Sequence, residues 1–275
     1  MSDWKLSDIF LGCTIEYGER EVLLRQKDKI IITREKVEHH VAKFNPHGRV
    51  RRTRLPSNVL AADSELSSDM IALLDSSGVS EYQSIVGCMN WVQQLRFDLQ
   101  FPQHVVARKM QSPRIWDLYC LVWYVEYAYF TANYPLVLGG PIVDPEAMSD
   151  ASFGTMSEKR SVISHIVRTG PLSGAILSST ETIKIAVTSV WDAEVQSASS
   201  AVDSMVYVSN IIDELKYASG HSKKVRIDSE IGIEWFNSNR VNEKSRHMQI
   251  KYFHTKHSVQ EGIVNMEFCD GEGRK

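Results

Sequence analysis

Three short stretches offer the most chemistry: Ser149-Asp150-Ala151, Asp192-Ala193-Glu194 and Ile227-Asp228-Ser229. Each sets a carboxylate beside an apolar run, where acids are costly unless something neutralises them. Each also has an ordinary structural explanation. Asp150 can face solvent from a strand. Glu194 falls in the first turn of a helix, where the helix dipole favours an acid. Asp228 ends a strand and is placed to cap the next helix. Taken together, an acid on a strand, one at a helix start and one at a strand end can converge on a single point. Hard carboxylate oxygens gathered in this way suit Mg²⁺, and two such ions about 4 Å apart are the machinery of phosphodiester hydrolysis.

The elements that must position these acids fall in the second half of the chain. Ala147 to Phe153, Ser161 to Arg168 and Ile183 to Ser189 read as short strands, separated by turn residues at Gly154, Gly170-Pro171 and Ser173-Gly174. A long amphipathic helix is expected from about Asp192 to Leu215, with Val195, Ala198, Ala201, Val202, Met205, Val208, Ile211, Ile212 and Leu215 spaced three and four apart. Lys223 to Ile227 is expected as a strand, Glu230 to Phe236 as a helix, and Ile263 to Phe268 as a last strand. That order implies an α+β or α/β fold, a mixed sheet with helices packed on it.

The first half has a different pattern. Ile9 to Tyr17 and Glu21 to Leu24 suggest a β-hairpin turning at Gly18. Helical spacing runs from about Asp28 to Phe44 and stops at Asn45-Pro46-His47-Gly48. A polar loop with a short helix near Met70 follows, then helices over Glu81 to Leu99, ending before Pro102, and over Pro113 to Tyr129. The aromatic residues Trp116, Tyr119, Trp123, Tyr124, Tyr127 and Tyr129 could stack on bases, but their helical spacing favours core packing. Asn133-Tyr134-Pro135 and Gly139-Gly140-Pro141 mark a boundary, dividing the chain into 1–140 and 141–275.

A net charge of -3 gives no global attraction to nucleic acid, so such a partner must be met by local patches. One runs from Arg20 to Arg54 and ends in Arg49, Arg51, Arg52 and Arg54. The other, Arg240 to His257, contains Arg246, His247 and Lys251; the plainer alternative for both is a solvated face. His247 and His254 have no Cys or further His to complete a zinc set. The four cysteines are scattered, as expected of free thiols in a reducing compartment. No stretch is apolar for long enough to span a membrane, and the start has no features of a signal peptide; a soluble intracellular protein, or a piece of one, is expected.

The ordered set of motifs resembles the C-terminal part of a Ty1/copia-type retrotransposon polyprotein, where the tail of a reverse transcriptase precedes a ribonuclease H domain. The resemblance is carried by Phe10-Leu11-Gly12-Cys13-Thr14-Ile15, Leu24-Arg25-Gln26, Tyr82-Gln83-Ser84-Ile85-Val86-Gly87 and Arg96-Phe97-Asp98-Leu99 in the first half. In the second it is carried by Ser149-Asp150-Ala151, Lys159-Arg160-Ser161, Asp192-Ala193-Glu194 and Arg246-His247-Met248-Gln249-Ile250-Lys251-Tyr252. It covers nearly the whole chain in the family's order.

The resemblance implies a ribonuclease H-like mixed five-stranded sheet with flanking helices, preceded by a mainly helical thumb or connection region with an N-terminal hairpin. It implies that Asp150, Glu194 and Asp228 are catalytic and hold two Mg²⁺ or Mn²⁺ ions; the family's fourth acid is missing, cut off, or supplied by a residue such as Asp270. Arg49, Arg51, Arg52, Arg54, Arg246, His247 and Lys251 would meet nucleic acid. The partners would be an RNA–DNA hybrid and the upstream polymerase palm of the same polyprotein, in the cytoplasm within a virus-like particle, or in the nucleus. The sequence departs from the family pattern in three places. Ser229 follows Asp228 where Asn is usual, Gln249 replaces an acid, and the late acidic motif has no counterpart before Lys275. No polymerase aspartate pair is present, so no copying activity is expected. The alternative is a catalytically inactive or domesticated remnant that binds nucleic acid or protein.

Overall fold

The computed structural model describes residues 8–60, 63–139, 145–154, 160–170, 173–184, 187, 189–216, 223–238 and 250–270. The chain forms two units, Met1–Val137 and Leu138–Lys275.

The first unit opens with β1 (Ile9–Phe10), β2 (Cys13–Tyr17) and β3 (Glu21–Arg25), paired antiparallel in sequence order. The strand expected over Ile9 to Tyr17 is thus broken in two. Phe10 pairs with Cys13 across a two-residue loop, Leu11 and Gly12, whose φ angles are 49° and 75°. Positive φ at both central residues is what a tight hairpin loop demands, and Gly12 meets that demand without steric cost. β4 (Leu136–Gly139) lies next to β3 in the same sheet.

The helix expected over Asp28 to Phe44 is divided into α1 (Lys27–Lys36) and α2 (Glu38–Phe44) at Val37, whose N–H bonds back to the Arg34 carbonyl in a tight turn. α3 (Ser68–Ile71) is the short helix near Met70. α4 (Ser76–Val92) starts on Asp75, whose carboxylate accepts the Gly78 N–H at 2.8 Å. It ends well before Pro102, and that proline lies in the first turn of a further helix, α5 (Gln100–Ala107). A missing N–H is harmless there, so the proline admits a new helix where it was expected only to follow one. α6 (Ile115–Phe130) is the aromatic helix. Trp116, Tyr124 and Tyr127 are buried, so these rings belong to the core.

The core of this unit holds a charge knot around Glu126. Glu126, 2% exposed, accepts from Asn45 Nδ2 at 3.1 and 3.0 Å and pairs with Arg51 Nε at 3.4 Å. The Arg51 guanidinium also lies 3.8 Å from the Trp123 ring centroid, and Arg34 approaches Glu126 at 4.0 Å. The acid that interrupts the apolar helix is therefore bound from both the loop after α2 and the loop's basic run.

In the second unit β5 (Glu146–Ser152), β6 (Val162–Arg168) and β7 (Ala175–Thr182) are antiparallel in turn. β8 (Lys224–Ile227) and β9 (Asn265–Phe268) run parallel to β5, giving the order β7-β6-β5-β8-β9. This is a mixed five-stranded sheet with flanking helices, the architecture that the resemblance implied. The third strand lies earlier than Ile183–Ser189. As an edge strand with the polar run Ser178-Ser179-Thr180-Glu181-Thr182, β7 does not need the apolar alternation that marks a central strand.

α7 (Val190–Glu214) packs across β5, β6 and β8. α8 (Glu230–Asn237) and α9 (Ile250–Gln260) pack against α7 and each other. α9 follows residues outside the described structure and was not expected, because its exposed His254 and His257 alternate with buried Tyr252, Thr255, Lys256 and Val259 without a clean apolar stripe. Their shared core includes Ala147, Val167, Val195, Val202, Met205, Val225, Ile227 and Phe236. Across one end of the sheet, buried Glu146 pairs with Arg168 and with Arg226, and Arg226 continues to Glu267 at 3.3 Å. Among the described residues, no helix is long and apolar enough to cross a membrane.

Removing one member of a buried charge knot leaves the others unpaired in low dielectric. Glu126→Ala is expected to cost the first unit about 3–5 kcal/mol, read as a lower urea midpoint by tryptophan fluorescence; an unchanged midpoint would show that Arg51 and Arg34 find other partners.

Candidate metal-binding carboxylate cluster

β5 is the central strand, and β8 runs parallel beside it with Met148 opposite Arg226. Two residues further along that register, Asp150 and Asp228 come level at the C-terminal ends of the two strands. This is the end where sheets of this kind present functional groups. Asp150 is still paired with Ser164 of β6, while Asp228 has just left β8.

The helix supplies the third acid. α7 begins at Val190, with Ser189 as its cap, Oγ accepting the Asp192 N–H at 3.2 Å. The helix therefore starts earlier than expected. Asp192 takes the dipole-favoured place in the first turn, and Glu194 lies in the second, buried at 6% exposure. Asp228 does not cap α8. That part is taken by Ser229, whose Oγ accepts the Gly232 N–H at 3.1 Å. A Cβ on Gly232 would come within 3.1 Å of Ile227 Cδ1 and 3.2 Å of Ser229 Oγ, so the glycine lets the cap close against the end of β8.

One carboxylate oxygen from each of Asp150, Glu194 and Asp228 lies within 4.8 Å of the other two. Asp150 and Asp228 are exposed and Glu194 is buried, so the cluster has a protein-facing wall and an open mouth. Carboxylates this close repel one another, and a shared cation relieves that repulsion. An all-oxygen donor set fits a hard divalent ion such as Mg²⁺ or Mn²⁺. Asp270 is exposed beyond β9 and is not in this group.

Ser197 holds the helix to the strand that carries Asp150. It is fully buried, and its Oγ donates to the Asp150 carbonyl at 2.8 Å, with the Ser164 carbonyl at 3.2 Å. Three residues after Glu194, it occupies the same helix face. Nothing in its residue type announces this; only the packing of α7 on β5 and β6 does. His165, next to Ser164, is buried between β6 and α7, where its Nε2 meets Ser204 Oγ at 2.8 Å. Burial lowers its pKa to about 4, so the ring is neutral at pH 7.

The expected basic contacts are divided. Arg49, Arg52 and Arg54 are exposed, with Arg54 Nε 3.9 Å from Asp98. Arg51 is committed to Glu126 and Trp123. Arg246 and His247 lie outside the described residues, as does the Lys251 side chain. Lys256, from the same stretch, turns inward over the Trp235 ring at 4.8 Å, and burial lowers its pKa.

No family model matches the sequence, and no curated protein sequence matches it. Among solved structures, the chain is similar to the N-terminal ribonuclease H domain of a Mycobacterium tuberculosis protein, solved as a fusion with maltose-binding protein. The identity is 13% over 47% of this chain and 84% of that one, with a TM-score of 0.33. It is also similar to a ribonuclease H1 isolated from compost, at 15% identity over 48% and 89%, TM-score 0.35. The ribonuclease H1 of Halobacterium salinarum is similar at 11% identity over 47% and 87%, TM-score 0.30.

The neutral His165 carries a pH signature. Its folded pKa lies below the unfolded value near 6.5, so between those limits the unfolded chain binds the extra proton. Its contribution is complete above about pH 6.5 and is lost as pH falls toward 4, a loss of up to about 3 kcal/mol. In urea titrations, His165→Gln is expected to show a shallower acid loss than the unmutated protein between pH 6.5 and 4.

Proposed function

We propose that this protein is a ribonuclease H, a metal-dependent endonuclease that hydrolyses the RNA strand of an RNA–DNA hybrid. The observation that carries the proposal is the meeting of Asp150, Glu194 and Asp228 at the C-terminal ends of two central parallel strands. Asp150, Glu194 and Asp228 would hold two Mg²⁺ or Mn²⁺ ions. Bound there, the ions would supply an activated water and offset charge on the departing 3′ oxygen. The chain's own part is positional. Glu194 anchors the set from the buried side, Ser197 fixes the helix to the Asp150 backbone, and the exposed Asp150 and Asp228 face the side from which a sugar–phosphate backbone can approach. Selectivity for hybrid would come from backbone shape and 2′-OH contacts, with no base-edge code required.

The motif order supports a retroelement setting, with the first unit as the thumb or connection region following a polymerase palm. In that setting Arg49, Arg52 and Arg54 contribute phosphate contacts, which position a duplex without reading its sequence. Arg51 holds the loop that presents them. The position of Asp270 outside the cluster favours a second reading, a remnant that binds without cutting.

With a labelled RNA–DNA hybrid in Mg²⁺ or Mn²⁺, the protein is expected to cleave RNA internally, and Asp150→Asn to lower the rate by at least ~10²-fold. Mg²⁺ is expected to raise the unfolding temperature of the unmutated protein and not of Asp150→Asn. Equal cleavage by both proteins rejects the assignment. Absence of cleavage with hybrid binding retained selects the remnant.

A further inference from the structure

We propose that His39, His40 and Glu81 form a second metal site, in the first unit, for a transition-metal ion of the zinc class. His39 and His40 lie in the first turn of α2, and Glu81 comes from α4, 41 residues further on than His40. His39 Nε2 lies 3.3 Å from one Glu81 oxygen and His40 Nε2 lies 3.1 Å from the other. One ligand atom from each of the three falls within 4.8 Å of the others. Ligands at 2.0–2.2 Å around a tetrahedral ion stand roughly 3.3–3.6 Å apart, so an ion here would draw together donors that already lie within 4.8 Å of one another.

The donor types separate this site from the acidic cluster. Imidazole nitrogen is a borderline ligand that suits Zn²⁺, Co²⁺, Ni²⁺ and Cu²⁺, whereas Asp150, Glu194 and Asp228 offer oxygen alone. Two neutral imidazoles and one carboxylate leave a divalent ion with positions open for water. His40, 15% exposed and stacked at 6.3 Å on Phe44, forms the inner wall; His39, 63% exposed, forms the outer one. An ion here ties α2 to α4 just after the break at Val37 that divides α1 from α2. It would thus serve as a clasp, stabilising the helices by linkage to binding.

The test uses the full chain stripped by chelator, titrated with Co²⁺ and then Zn²⁺ in excess Mg²⁺. The expected result is one equivalent of Co²⁺ with visible d–d absorption, displaced by Zn²⁺, and a Zn²⁺-dependent rise in unfolding temperature. His39→Ala, which removes an exposed side chain and no core packing, and Glu81→Gln should each weaken binding at least about tenfold, while Asp150→Asn binds as the unmutated protein does. The proposal is overturned if no visible absorption develops, if both α2 and α4 variants retain full affinity, or if binding is lost in Asp150→Asn. Hybrid cleavage does not enter this readout, so the two sites stand or fall separately.

Discussion

The close docking of α7 on the strand pair β5–β6 is the constraint on which the second unit depends. Ala193, Ser197 and Ala201 recur every four residues and are fully buried. Small side chains along one ridge let a helix approach a sheet closely at normal packing density. The Ser197 hydroxyl then reaches the backbone carbonyl of Asp150. That single contact places the Glu194 face of the helix against the strand end that carries the first acid. A bulkier ridge would hold α7 away from the sheet and pull the acids apart without changing any of them.

Charge is handled differently at the two ends of this sheet. At one end, Glu146, Arg168, Arg226 and Glu267 alternate in sign across β6, β5, β8 and β9, a self-compensated network. At the other end three carboxylates meet with one sign. The first arrangement can be understood as support of the fold. The two ends thus differ in how their charges are grouped, which is why position on the sheet, and not acidity alone, singles out these residues. In the first unit, Glu126 follows the first pattern, bound by Asn45 and Arg51.

Much of the fold was legible because burial leaves a periodic trace. The apolar spacing from Val195 to Ile212 marks α7, and the apolar run of α6 marks a core helix despite Glu126. Where burial is partial, the trace fades. β7 is an edge strand and carries serines and threonines, and α9 mixes exposed histidines with buried polar groups. The cap of α8 was legible in place and not in identity: Asp228 and Ser229 both stand at the helix start, and geometry gave the cap to Ser229, releasing Asp228 from that part. The His39–His40–Glu81 group left no trace at all, since its members belong to different helices separated by a long polar loop.

By itself the sequence determined which acids were available, that the sheet is mixed, and the elements that carry Asp150, Glu194 and Asp228, because local periodicity and turn chemistry are written residue by residue. Only the tertiary structure decided that Asp150, Glu194 and Asp228 share one point, that Asp270 does not join them, and that Arg51 turns inward to Glu126 while Arg49, Arg52 and Arg54 stay outside. The reason is physical. Distances between residues far apart in the chain are set by the register of β5 against β8 and by how closely α7 packs on β5 and β6, and neither quantity exists until the core has formed.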